Sequence, residues 1–192
     1  MPWLTVAPIP FIQGKDSSMA FSMSQASIPA IELSLNALSG VLDKGAAFAA
    51  AKKIDASVLL SSRLAPDMFT LTRQVQIATD LAKNGIARLA GIEPPRIEDN
   101  ETTIDQLKAR IARVVAFIKT VDPKQIDGAG DRAITFPLGP NNKGEMKVDD
   151  YLNHFVLPNF YFHCTAAYAI LRHCGVELGK ADYLGAIPMK MT

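Results

Sequence analysis

The sequence contains few of the residues that most enzymes and metal proteins use for their chemistry. It has two cysteines, three histidines and a single tryptophan among 192 residues. It contains no CxxC pair, phosphate-binding glycine loop, Gly-x-Ser-x-Gly elbow or His-Glu-x-x-His motif. Motif chemistry therefore gives no reason to place the chain among the P-loop enzymes, the α/β-hydrolases or the zinc proteases.

Charge of one sign and long apolar runs are also missing. The 20 Lys and Arg residues are balanced by 19 Asp and Glu residues, for a formal net charge of +1. Nucleic acids and anionic membranes are bound through a basic field, so we expect neither as a partner. No apolar run reaches the roughly 18 residues that a membrane span requires.

The two cysteines indicate the compartment. Cys164 and Cys174 fall in one predicted helix, roughly 15 Å apart along its axis, which is beyond the reach of a disulfide. Reduced thiols are typical of a reducing environment, so we predict a cytoplasmic protein.

The length and the apolar content of 48% fit one globular domain with a full core. Residues 1–22 are predicted to be an extension, either mobile or crossing to a partner subunit. They lack the basic start and cleavage site of a signal peptide. Residues 23–185 form the predicted domain, and residues 186–192 a short tail.

Helical periodicity dominates this domain. The first helix is predicted to begin at Ser27, with Pro29 in its first turn. The second is predicted from Pro66-Asp67 to Gly91, and the third opens with a capping box at Thr103–Gln106. Short connections favour antiparallel neighbours in a four-helix bundle.

The remaining segments complete an all-α four-helix bundle with a small β-hairpin insertion before the last helix. Residues 133–138 and 145–148 flank a Gly-Pro-Asn-Asn turn and are predicted to pair as strands. The last helix is predicted from Asp149 to Gly175. Pro158 should bend it and free carbonyl groups for a polar partner such as Asn159.

The last helix is apolar nearly all round, yet it carries several polar side chains that need partners if buried. Its three histidines are too far apart along one helix to share a metal ion. Asn159 and His163, four residues apart, lie on one face and can meet one ligand. Arg73 and Gln74 of the second helix are candidates to face them, with Tyr161 and Asp67 as looser candidates. The alternative is a structural hydrogen-bond network or a dimer interface.

Several stretches resemble a bacterial family of uncharacterised proteins that is grouped with the DinB/YfiT-like helical bundles. The stretches are residues 63–68, 73–76, 157–163 and 171–176, and the resemblance extends over roughly residues 23–185. It implies a DinB-type four-helix bundle that is often dimeric. Many members of the superfamily bind a divalent metal through three histidines, one on the second helix and two that are four apart on a later helix. Some transfer or isomerise thiol-linked substrates.

This sequence departs from that metal-binding pattern. Asn159 and His163 match the pair that is four apart, and Arg73 or Gln74 stands near the place of the third histidine. An amide is a poor ligand for zinc or nickel. We therefore predict no bound metal and no cofactor.

Three hypotheses remain open. The first is a non-metal module that binds a small polar or anionic ligand between the second and last helices. The second is a divalent-metal-dependent enzyme with an unusual site, completed by Asp67 and water. The third is a structural protein that forms dimers. We predict a homodimer, because the last helix carries apolar residues on two faces; these are Phe155, Phe160, Phe162, Tyr168 and Ile170.

Overall fold

The computed structural model describes residues 21–139 and 141–189, so most of the predicted N-terminal extension and the end of the predicted tail lie outside it. The chain forms eight α-helices, two strands and one π-helical segment within these residues. They are α1 (Met23–Lys52), α2 (Ala56–Ser61), α3 (Leu71–Ala90), α4 (Ile104–Thr120), α5 (Pro123–Asp127), β1 (Ala133–Leu138), β2 (Asn142–Lys147), α6 (Val148–Asp150), the π-helix Tyr151–Val156, α7 (Leu157–His173) and α8 (Lys180–Leu184).

Helix α1 begins one turn earlier than predicted. Ser22 and Gln25 form a capping box, with the Ser22 hydroxyl accepting from the Gln25 backbone N–H at 3.3 Å and the Gln25 side chain accepting from the Ser22 N–H at 3.2 Å. The predicted cap, Ser27, is buried inside the helix and donates to the Met23 carbonyl at 2.7 Å. Because the helix begins at Met23, Pro29 lies beyond its first turn, where the proline removes one backbone hydrogen bond.

Helix α3 begins later than predicted. Its N-cap is Thr70, whose hydroxyl accepts from the Arg73 N–H at 3.4 Å. The preceding residues form a separate turn, closed by a bond from the Met68 N–H to the Ala65 carbonyl at 3.0 Å. Asp67 lies exposed in this turn and not in a helix.

The bundle consists of α1, α3, α4 and α7. Two helices of the bundle, α3 and α4, are parallel to each other. The start of α3 lies beside α2, where the Thr72 hydroxyl donates to the Leu60 carbonyl at 3.1 Å. The start of α4 lies beside α2 as well, since Ile104 lines a cleft with Ala56. Both helices thus start at one end of the bundle. Helix α1 is antiparallel to α4, with Glu32 bridging Lys119 at 2.7 Å.

We expected short connections between antiparallel helices, and this expectation was wrong for residues 91–103, which join the parallel helices α3 and α4. This segment returns along the whole bundle, and we call it the crossover. A 20-residue helix is roughly 30 Å long, and an extended segment of this length can span that distance. Gly91, with a positive φ of 72°, ends α3, but the turn signals at Gly91 and Pro94-Pro95 do not encode where the chain goes next.

The predicted hairpin is confirmed, with β2 starting earlier than expected. The strands pair antiparallel from Ala133↔Lys147 to Leu138↔Asn142. Phe136 of β1 is buried, and its ring packs against Tyr151 and Phe155 at centroid distances of 4.8 and 4.4 Å. The hairpin is thereby fixed to the beginning of the last helix.

The last helix changes its type just before Pro158. A π-helical segment, Tyr151–Val156, precedes α7, and Pro158 lies in the first turn of α7. A proline removes one backbone donor and clashes with the carbonyl four residues earlier, which gives a physical reason for the irregular segment beside it. The predicted bend at Pro158 stays a prediction. As expected, Asn159 uses a local carbonyl: its side-chain amide donates to Phe155 O at 2.7 Å.

Most of the apolar surface of the last helix is covered by the chain itself. Phe160 and Ile170 are buried in the core, whereas Phe162 remains 57% exposed. Among residues 21–139 and 141–189, no helix combines the length and the apolar character needed to cross a bilayer.

Candidate functional site

The side chains of His163 and Gln74 meet where α7 packs against α3. His163 Nδ1 lies 2.6 Å from Gln74 Oε1. Both residues are enclosed, with 9% of His163 and 1% of Gln74 exposed. The structure thus selects Gln74, and not Arg73, as the direct partner of His163.

The orientation of the Gln74 amide fixes the proton on His163. Gln74 Nε2 donates to the Phe69 carbonyl at 3.3 Å, so Oε1 is the atom that faces the imidazole. An amide oxygen only accepts, so His163 Nδ1 must carry the proton and donate it. His163 Nε2 is then left with a lone pair and acts as an acceptor.

The imidazole is neutral at physiological pH. Burial lowers the pKa of His163 to about 4, with the positive charge of Arg73 as the second cause. No buried side-chain nitrogen or oxygen among the described residues lacks a hydrogen-bond partner. His163 Nε2 makes no hydrogen bond within the described residues, and 9% of His163 is exposed.

Arg73 lies close to this pair but is bound to other groups. Its guanidinium forms an ion pair with Asp99 of the crossover and donates to Gln76 Oε1 at 3.3 Å. The side chains of Arg73 and Asp99 are 41% and 36% exposed. Arg73 therefore contacts the crossover in this structure, while its charge is still felt at His163.

The other predicted site residues lie farther from the pair. Asn159 is one turn before His163 on α7, and its amide N–H is already given to Phe155. Tyr161 lies beside Ser34 of α1, and burial raises the pKa of its hydroxyl. Asp67 is exposed in the turn before α3. The structure brings His163 and Gln74 into direct contact. Within the described residues, the other predicted site residues make no side-chain hydrogen bond to this pair; they are Arg73, Asn159, Tyr161 and Asp67.

The donor set at this place does not fit a three-histidine metal site. One imidazole is present, the position on α3 is an amide that already accepts from that imidazole, and Asn159 offers only an amide oxygen as a ligand. Metal sites of zinc and nickel prefer imidazole or thiolate over amides. Within the part of the chain that the structure describes, no group of three His, Cys, Asp or Glu residues is arranged to hold a metal ion.

Sequence reasoning missed a buried arginine on α4. Arg110 is only 3% exposed and lies between α3, α4 and the crossover. All its N–H groups face acceptors: Thr79 Oγ1 at 2.7 Å, Asp80 Oδ1 at 2.8 Å, Asp99 Oδ1 at 2.9 Å, and Glu98 O and Glu101 Oε1 at 3.0 Å. One signal was available, since Arg110 interrupts the buried stripe of α4 three residues after Leu107.

Two clefts of the structure lie away from His163. One of about 620 Å³ lies between the second half of α1 and the turn after α7, and is lined by Phe48, Lys52 and Glu177 among others. Another of about 490 Å³ lies between the crossover and α4, next to Arg110 and Arg113. Neither has His163 in its wall.

This fold, with its parallel α3 and α4, its hairpin insertion and a histidine on α7 that faces α3, defines a DinB-type four-helix bundle. A crystal structure described as that of a DinB family member protein from Shewanella denitrificans superposes with a TM-score of 0.82. The two sequences are 41% identical, and the match covers 88% of this chain and 96% of that chain.

The sequence also matches a known family over most of its length. Residues 23–184 match the family described as "Domain of unknown function (DUF1993)", and the chain belongs to that family. No functionally curated protein matches the chain. The resemblance found in the sequence is thereby confirmed, for the family as well as for the fold.

Proposed function

We propose that this protein is a binding module for a small polar ligand, that it works without a transition metal, and that the ligand meets His163 where α3 and α7 pack. The observation that supports this most is the 2.6 Å contact between His163 Nδ1 and Gln74 Oε1. In this contact Nδ1 carries the ring proton and donates it to Gln74. Nε2 is therefore the ring nitrogen that can accept a hydrogen bond.

The neutral state of His163 narrows the chemistry of the ligand. A lone pair on Nε2 favours a group with a hydrogen-bond donor, such as a hydroxyl or an amide N–H. An anion would have no attraction to the neutral imidazole itself, and it would depend on Arg73. The ligand we propose therefore carries at least one donor, with or without a negative charge.

The test uses the imidazole as its own reporter. Protein labelled with nitrogen-15 in histidine is titrated with a panel of small alcohols, phenols and amides. We expect at least one donor-bearing compound to shift the His163 Nε2 signal and to raise the melting temperature, because a ligand that binds only the folded state stabilises it.

Two variants make this test specific. His163→Phe keeps a ring of similar shape but removes the acceptor, and it should abolish the effect. His173→Phe, which changes an exposed histidine in the last turn of α7, should leave it intact. Compounds that stabilise His163→Phe as much as the wild type would refute the site.

A metal-dependent enzyme is the second candidate, and one observation favours it. Histidines that bind metals usually donate their other ring N–H to an oxygen, as His163 does to Gln74. Elemental analysis of protein purified without chelator or metal resin decides between the two. Stoichiometric zinc, nickel or iron that disappears in His163→Phe would replace the first proposal with this one.

A structural role in a homodimer is the third candidate. It is supported by Phe162 and Phe69, which remain 57% and 55% exposed. Light scattering at tens of micromolar protein tests it, and a mass near 20.8 kDa would count against a dimer. We further propose a cytoplasmic location, because Cys164 and Cys174 are both free thiols.

A further inference from the structure

Asp99 of the crossover lies between two guanidinium groups. Its Oδ2 pairs with Arg73, and its Oδ1 accepts from Arg110 Nη2 at 2.9 Å. Arg110 is buried, whereas Arg73 and Asp99 are both partly exposed. One side of this carboxylate is thus fixed inside the protein, and the other faces a side chain that solvent can reach.

The two arginines depend on Asp99 to different degrees. Arg110 keeps four other acceptors if Asp99 leaves, including the carboxylates of Asp80 and Glu101. Within the part of the chain that the structure describes, Arg73 keeps Gln76 alone, at 3.3 Å. Exposed ion pairs contribute about 0–1 kcal/mol, so the contact between Arg73 and Asp99 can open at little cost.

Arg73 is also placed to serve the His163 site. It directly precedes Gln74, the hydrogen-bond partner of His163, and its charge contributes to the lowered pKa of His163. The ring of Phe162 stands edge-on to the imidazole at a centroid distance of 5.2 Å and is largely exposed. In the chain, Arg73 and Phe162 are thus direct neighbours of the two residues of the His163–Gln74 pair, and both side chains are partly exposed.

We propose, resting on the ligand site at His163, that its ligand is a small hydroxycarboxylate and that Asp99 is its internal competitor. The hydroxyl of the ligand donates to His163 Nε2, and its carboxylate replaces that of Asp99 on Arg73. The ligand carboxylate takes the place of Asp99 Oδ2 on Arg73, while Asp99 Oδ1 stays on Arg110. The occupied and the empty site then differ chiefly in the position of the Arg73 side chain and of the crossover near Asp99.

Three matched probes separate the parts of this proposal. Mandelate carries a phenyl ring, a hydroxyl and a carboxylate; phenylacetate lacks the hydroxyl, and benzyl alcohol lacks the carboxylate. Binding is followed by the nitrogen-15 signals of His163 in the wild type and in Asp99→Asn. The control is Asp43→Asn, which removes an exposed carboxylate paired with Lys108 on the other side of α4.

We expect mandelate to bind most tightly of the three. Asp99→Asn should tighten the binding of mandelate and phenylacetate by up to about fivefold, the equivalent of an exposed ion pair. It should leave benzyl alcohol unaffected, and Asp43→Asn should change none of the three. Adding Arg73→Gln to Asp99→Asn should remove the gain for both carboxylates.

The outcomes distinguish this inference from the site on which it rests. If His163→Phe abolishes mandelate binding but Asp99→Asn does not tighten it, the site stands and the internal competitor is refuted. If mandelate binds His163→Phe as tightly as the wild type, the site itself is refuted. If mandelate at tens of millimolar shifts no signal in either the wild type or Asp99→Asn, the hydroxycarboxylate class is refuted, and the wider compound panel still decides the site.

Discussion

Replacing Arg110 by leucine should destabilise the protein more than any other change of a single charged residue on α4. The arginine is buried and is bound by three carboxylates, one hydroxyl and one carbonyl. Leucine is smaller, apolar and helix-forming, so it preserves α4 itself. The loss therefore reports the polar contacts between α3, α4 and the crossover.

The structure sets the size of the expected effect. Removing one partner of a buried ion pair costs about 3–5 kcal/mol, because the other charge is left without compensation. Here each carboxylate keeps one partner: Asp80 keeps Lys83 at 3.2 Å, Asp99 keeps Arg73, and Glu101 keeps Gln76 at 2.9 Å. We therefore expect the lower end, about 3 kcal/mol.

Urea unfolding followed by circular dichroism measures this directly. A loss of about 3 kcal/mol corresponds to a fall in melting temperature of roughly 6–12 °C for a chain of this size. The matched control is Arg113→Leu, one turn later on α4, where the exposed arginine makes a single 3.3 Å hydrogen bond to Arg96 O. It should cost less than about 0.5 kcal/mol. Equal effects of the two substitutions would refute the role assigned to the buried network.

Three further outcomes are expected. The pKa of His163 is lowered to about 4 from 6.5, so the unfolded chain binds a proton at a higher pH than the folded protein does. The free energy of unfolding should therefore drop by roughly 2–3 kcal/mol between pH 7 and pH 4.5. The same measurement on His163→Phe should lack this part of the pH dependence. Gln74→Leu should cost about 1–3 kcal/mol in urea unfolding, since the His163 N–H loses its acceptor, and an unchanged stability would mean that water replaces the amide at no cost. Gly85→Ala should destabilise by about 1–3 kcal/mol because the new Cβ would lie 2.6 Å from Val156, whereas Gly40→Ala, with open space around it, should stabilise α1 by about 0.5–1 kcal/mol; the same sign for both would contradict the packing at Gly85.

Local signals predicted local structure well. The capping box at Thr103 and Gln106 lies where the sequence placed it, because every group that forms it is within four residues. The irregular segment before Pro158 is local as well, since the missing N–H and the ring of one proline suffice to interrupt an α-helix. The start of α1 was misplaced for a related reason: Ser22–Gln25 and Ser27–Pro29 are both helix-start patterns, and the choice depends on a distant contact, the 2.7 Å bond from Ser24 to Asp127.

Contacts between distant segments were predicted less well. Helical periodicity is recognised from apolar residues, so it does not reveal an arginine on the buried face of α4. Arg110 is stable there only because Asp99 and Glu101 return along the crossover, and the path of the crossover follows from the packing of the whole bundle. The parallel arrangement of α3 and α4 and the buried network around Arg110 were both missed for one reason: each depends on the path of the crossover.

The contact between α3 and α7 shows how a buried polar pair is satisfied by its neighbours. A buried histidine without a metal still needs a partner for its N–H, and a glutamine on α3 supplies an oxygen at hydrogen-bond distance. The glutamine needs an acceptor for its own amide, and the Phe69 carbonyl just before α3 supplies it. Each group is satisfied by the next, so the histidine is held neutral and in one orientation. That fixed orientation makes His163 Nε2, rather than the ring as a whole, the atom on which ligand binding should be tested.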